Sequence, residues 1–199
     1  MTDTSTWTIT TYNDLADLLD KAPSETWDAA TLCSEWHVRH VVAHMTMPAR
    51  LTPAQFGAEM AAAGGDFAVL SNAVAARDAG LPTGDQLAAL RSATLHDWQP
   101  PGGGAAGALS HAVIHSLDIT IALDRPAVAP REAMSAVLDQ LTAAGGALFG
   151  VDLTGLRLDA TDTDGGWGTG DEVIRLDSGR LVALVSGRTL PDGRALPRS

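Results

Sequence analysis

Six histidines carry most of the chemical information in this 199-residue chain. His111 and His115 stand four residues apart, and on a helix that spacing turns both imidazoles to one face. Two ring nitrogens offered in this way can share one ion. His40 and His44 repeat the spacing, with His37 one turn earlier. Two helices that each show a histidine pair inward can supply three ligands and leave a position open, the feature that separates catalytic from structural zinc. Such pairs also occur at bundle surfaces, or where the rings donate to carbonyls. Val113, Ile114, Leu117 and Ile119 flank the later pair, which argues for burial, and a buried imidazole needs a polar partner.

Other chemistry finds less support. Gly102-Gly103-Gly104-Ala105-Ala106-Gly107 has the form of a dinucleotide-binding turn, but no strand feeds it and no acidic residue follows at the expected distance. It reads as a helix–helix connection. The single cysteine, Cys33, excludes an internal disulfide and a Cys-rich metal cluster; its side chain is expected to pack as a small hydrophobe. No nucleophile elbow is present.

The elements that must position the histidines are mostly helical. Tyr12, Leu15, Ala16, Leu18 and Leu19 form an apolar stripe that Pro23 ends. A second helix is expected from Ser34 as its N-cap, bounded by Pro48 and Pro53. Residues 53–78 read as two helices broken at Gly64-Gly65, and Thr83 or Asp85 can cap a helix running to about Trp98. A long helix spans about 105–123, and another runs from about Pro130 to about Leu148. Short connections between them imply an antiparallel, up-and-down bundle. After Gly150, Leu156, Leu158 and Ala160 alternate with polar residues as a strand, Val173–Leu176 forms a second, and Leu181–Val185 reads as a short helix. Fifty residues are too few for a core of their own. The chain therefore divides into a helical bundle, 1–149, and a small α+β segment, 150–199, packed on it.

Composition limits the partners. The formal net charge is −11, with −9 in residues 1–149 and −2 in the remainder. One lysine and twelve arginines, all scattered, form no basic face for nucleic acid or an anionic membrane. No apolar run approaches the ~20 residues of a membrane span, and the first residues lack the features of a signal peptide. The expected location is the cytoplasm.

Three stretches resemble one family. Trp27-Asp-Ala-Ala-Thr-Leu-Cys33-Ser-Glu-Trp36-His-Val-Arg39-His-Val-Val-Ala-His44 is similar to the first signature of the mycothiol-dependent maleylpyruvate isomerase family, within the DinB/YfiT-like superfamily. His111-Ala-Val-Ile-His115-Ser-Leu-Asp118-Ile resembles its second signature, and Leu181-Val-Ala-Leu184-Val-Ser-Gly187-Arg188 resembles the end of its small C-terminal domain. The resemblance implies a DinB-like four-helix bundle with a C-terminal α/β appendage. It also implies a divalent metal held by His44, His111 and His115: zinc first, with nickel, copper or iron as alternatives.

The implied chemistry is activation of mycothiol or a similar small thiol, whose thiolate acts on an electrophilic substrate by cis–trans isomerisation or S-transfer. Asp118 is expected to hydrogen-bond behind the ligands or to pack the helix, and Arg188 to anchor a substrate carboxylate. His37 and His40 fall outside the implied ligand set. Two departures stand out: the isomerases generally carry Glu where this chain has His111, and Asp where it has His40. A protein that keeps the bundle and metal but only binds or regulates is the alternative.

Overall fold

The computed structural model describes residues 3–199. The chain is mainly helical, with one small sheet. Helix α1 (Asp3–Asp20) buries Tyr12, Leu15, Ala16 and Leu19, the stripe that its periodicity marks. A 3-10 turn at Ser24–Asp28 then places Trp27 in the core.

Helix α2 (Val38–Arg50) starts three residues later than expected, and His37, not Ser34, is its N-cap. The intervening residues are held in another shape. Thr31 Oγ1 donates to the Trp36 carbonyl at 2.8 Å, Trp36 N–H donates to the Cys33 carbonyl, and Glu35 adopts a left-handed backbone with φ 69°. Leu32 N–H donates to the Asp118 carbonyl, tying this loop to a distant helix. Pro48 does not bound α2 but lies within its last turn, where a missing amide forfeits a single bond.

Helices α3 (Pro53–Ala62) and α4 (Phe67–Asp78) are separated at Gly64 and Gly65, both at positive φ. The helix expected to reach Trp98 is two: α5 (Thr83–Leu90), with Pro82 as N-cap, and α6 (Ala93–His96). Ser92 makes the break, its hydroxyl donating to the Ala89 carbonyl and accepting from Leu95 N–H, a local competition that ends helices. Helix α7 (Gly104–Thr120) agrees with expectation at its start, and α8 (Arg131–Ala143) stops before Gly145 and Gly146, both left-handed.

Strand β1 (Leu156–Ala160) is central. It pairs antiparallel with β2 (Gly166–Trp167), a strand not expected from the sequence, and parallel with β3 (Glu172–Leu176). Trp167 Nε1 donates to Asp139 on α8 at 2.7 Å, so burial of its indole and one hydrogen bond explain this short strand. Helix α9 (Ser178–Val185) is capped by Asp177.

Helix α7 is the organiser. Its Ala112 and Ile119 join the core formed with α1, α2, α5 and α6, while Leu109, Val113, Ile114 and Leu117 join that of α8, α9 and the sheet. A helix apolar on both sides must be central. Polar side chains on it need partners supplied by its neighbours. Among the described residues, no helix is long and apolar enough to cross a membrane.

Candidate metal centre

Helices α2 and α7 pack together, and their contact brings His44 face to face with His111 and His115. His44 Nε2 lies 3.2 Å from His115 Nε2 and 3.3 Å from His111 Nε2. For a tetrahedral ion with metal–nitrogen bonds of about 2.0–2.1 Å, ligand nitrogens stand about 3.3 Å apart. The residues present therefore fit a divalent cation.

Each ring's other nitrogen has an oxygen partner. His44 Nδ1 is 2.9 Å from Ser71 Oγ, His111 Nδ1 is 3.1 Å from the Tyr12 hydroxyl, and His115 Nδ1–H donates to Asp118 Oδ2 at 2.9 Å. In the tautomer with all three Nδ1 atoms protonated, every Nδ1–H is satisfied and three Nε2 lone pairs converge. Lone pairs that close repel unless a proton or a cation lies among them. The outer oxygens fix ring orientation and basicity, the usual support for histidine ligands.

The electrostatics favour the neutral rings. Burial, followed by the charges of the neighbouring histidines, pushes His44 and His111 well below the ordinary histidine range. An unfolded chain takes up protons on these rings below about pH 6.5, whereas the folded one resists. Their contribution to stability is therefore full above that pH and is lost as pH falls below it. For chelator-treated protein, we expect the unfolding free energy to drop between pH 6.5 and 5, approaching about 1.4 kcal/mol per pH unit for each ring. Denaturant titrations across that range measure it, and a flat profile would contradict this account.

Asp118, 1% exposed, is the hub behind the site. Burial raises its pKa, but hydrogen bonds from His115 and Arg188, with the charge of Arg188, outweigh this and keep it well below the usual carboxylate range. Arg188 Nε donates to Oδ1 and Nη2 to Oδ2, both at 2.9 Å, while Nη1 donates to the Ser186 carbonyl. The guanidinium expected to anchor a substrate carboxylate thus already grips a carboxylate of the chain.

Cys33 also departs from its expected role. It is half-buried against this polar group, donating S–H to Asp118 Oδ2 at 3.0 Å with Arg188 Nη2 3.6 Å away. Burial first, then the Asp118 charge, push its thiol up to about 12. It stays a protonated donor at neutral pH. Cys33, His115 and Asp118 are a second group close enough to hold an ion, but the Arg188 charge on the same carboxylate opposes one.

His37 and His40 lie outside the three-ring cluster: His37 is exposed, and its backbone N–H donates to His40 Nδ1 at 3.2 Å. Arg39 pairs with Asp28 at 2.7 Å. Trp36 stands on the wall of the cleft that His44 and His115 also line, which has a volume of about 1250 Å³. Sequence reasoning missed Tyr12 and Ser71 as partners of the histidines. A phenol inside an apolar stripe, which needs a hydrogen-bond partner when buried, was the available signal for Tyr12; nothing local marks Ser71.

These features define a mainly helical protein in which three imidazoles converge, two of them, His44 and His115, lining a cleft. Residues 11–99 match the family model described as the mycothiol maleylpyruvate isomerase N-terminal domain, the family that the three stretches resemble. The matched stretch includes His44; His111, His115, Asp118 and Arg188 follow it. The crystal structure of a histidine-to-alanine mutant of a mycothiol-dependent maleylpyruvate isomerase shares the fold, with a TM-score of 0.56 at 17% identity, covering 99% of this chain and 96% of that one. Another crystal structure of a mycothiol-dependent maleylpyruvate isomerase gives a TM-score of 0.49 at 16% identity with the same coverage. No curated protein sequence matches the chain.

Proposed function

We propose that this protein is an enzyme that uses a low-molecular-weight thiol, mycothiol by family likeness, to attack an electrophilic carbon beside a divalent cation held by His44, His111 and His115. The convergence of the three Nε2 atoms, with His44 and His115 lining the cleft, supports this reading. Zinc is the first candidate, with nickel, copper or iron also suited to imidazole, and the ion's charge would deprotonate a thiol bound to it at neutral pH.

The chain's own residues do the remainder. Tyr12, Ser71 and Asp118 hold the three rings in one orientation, and burial keeps His44 and His111 neutral and able to ligate. Arg188 keeps Asp118 ionised as the acceptor for His115 Nδ1–H. Cys33, protonated, is no competitor for the role of nucleophile. A cleft of about 1250 Å³ exceeds the ~300–1,000 Å³ of ordinary ligand pockets, leaving room for a thiol and a second reactant together.

A thiolate that adds to a conjugated double bond and leaves after rotation isomerises it, the reaction type in the names of the structural relatives. One that displaces a leaving group forms a conjugate. His111 favours this second outcome as a further reading, because an imidazole where the isomerases generally carry Glu leaves the site one charge more positive and fits a stronger Lewis acid. Reduced small thiols are kept in the cytoplasm, where the protein is expected to work.

The test is to supply the zinc-loaded protein with mycothiol and either an activated cis-olefin or an alkyl halide. Isomer or conjugate should form faster than with a His115→Ala control. Failure to form product from either substrate above that control would instead support a binding or regulatory module.

A further inference from the structure

We infer that the seat for the electrophile beside His44 is built for a flat aromatic ring, with Trp36 and Phe67 as the residues that select it. The inference rests on the thiol reading for its chemistry, though not for binding. Trp36 precedes α2, and its indole Nε1–H donates to Asn72 Oδ1 at 3.1 Å, which fixes the plane of the ring. Its centroid is 5.2 Å from that of His44, with the rings tilted by 47°. Phe67 opens α4 and meets the same imidazole edge-on, at 6.4 Å and 66°. Both rings line the cleft that His44 and His115 share.

Phe67 does not serve the core. The buried face of α4 consists of Leu70, Ser71, Val74, Ala75 and Asp78, while Phe67 is 51% exposed. Half of a phenyl group is therefore left in water along the cleft, with Ala68 and Ala76 also lining it. Aromatic rings favour edge-to-face and offset contacts with other rings, and a planar guest beside His44 meets both. The two guanidiniums of the cleft are already engaged: Arg188 grips Asp118, and Arg198 donates to the carbonyls of Phe149 and Gly187 at 3.0 and 2.7 Å. Among the described residues that line the cleft, Phe67 is the large apolar side chain left exposed.

With an aryl halide the chemistry balances simply. The thiolate sulfur bonds to the ring carbon, the carbon–halogen bond breaks, halide leaves with the electron pair, and the thiol proton passes to solvent.

The experiment compares chlorodinitrobenzene with chloroacetamide as electrophiles for the zinc-loaded protein and mycothiol, each rate divided by its uncatalysed rate. A companion measurement follows equilibrium binding of dinitrobenzene, which has no leaving group, to the zinc-loaded protein without thiol. We expect the aryl substrate to be preferred, and Phe67→Ala to lower the aryl-to-alkyl ratio of kcat/KM and the dinitrobenzene affinity each by about tenfold. Phe67→Leu, which keeps apolar area but loses the ring, should fall between. If both electrophiles react but neither the ratio nor the affinity responds to Phe67→Ala, the aromatic seat is overturned and the thiol reading stands. If neither reacts while dinitrobenzene binding depends on Phe67, the seat stands and the thiol reading fails.

Discussion

His115→Ala should strip the protein of its divalent cation and of thiol-dependent turnover together. The ring offers Nε2 to the cluster and holds Asp118 through Nδ1, so its loss removes one of the three nitrogens proposed to hold the ion. Removing only an outer partner of a histidine ligand typically weakens metal binding 10–100-fold. Loss of the ligand itself should exceed about 100-fold. Equilibrium dialysis against zinc with elemental analysis gives the number: about one equivalent per chain for the parent protein and far below that for the variant. His40→Ala, at a histidine outside the cluster, is the matched control. A variant that binds zinc as tightly as the parent would remove His115 from the site.

Asp118→Asn should be the most destabilising change near the site. The carboxylate is 1% exposed, and Arg188, its partner, is 15% exposed. Removing one charge of a buried pair leaves the other uncompensated, which costs about 3–5 kcal/mol, a fall of roughly 10 °C in Tm for a chain of this size. Replacing both partners by apolar residues, as in Asp118→Leu with Arg188→Met, should recover most of the loss, since buried pairs exchange well for packed side chains. Cys33 gives a second readout. Its thiol is held up by burial and by the Asp118 charge, while Arg188 acts in the opposite direction. Removing the carboxylate charge should therefore lower the thiol pKa and speed alkylation at mildly alkaline pH. Unchanged stability together with unchanged alkylation would show that the pair does little.

The legible parts of the sequence were those where a period repeats. The stripe of α1 and the all-round apolar character of α7 each repeat over several turns, and local pattern and tertiary burial agree there. The histidine spacing put two imidazoles on one face of α7, but only the family signatures singled out His44 from His40 and His37. What was illegible is where contacts distant in sequence override local preference. Ser34 is a good N-cap by type, yet Thr31 and the bond from Leu32 to the Asp118 carbonyl hold residues 31–36 in a turn and delay α2 to Val38. The same turn carries Cys33 to Asp118, 85 positions away, a contact no local pattern encodes. Ser92 is the opposite case: a local side-chain bond broke a helix that its apolar spacing would have continued.

Arg188 follows α9, near the end of the chain, yet it neutralises a carboxylate in the middle of α7. The tail thus acts as a clasp. Cutting the chain after Phe149 would strand an anion among apolar side chains beside a protonated thiol, so the helical part should neither fold well nor hold its cation once the remainder is gone. Whatever reactivity the imidazole cluster has, its inheritance is tied to a segment that contributes no ligand to it.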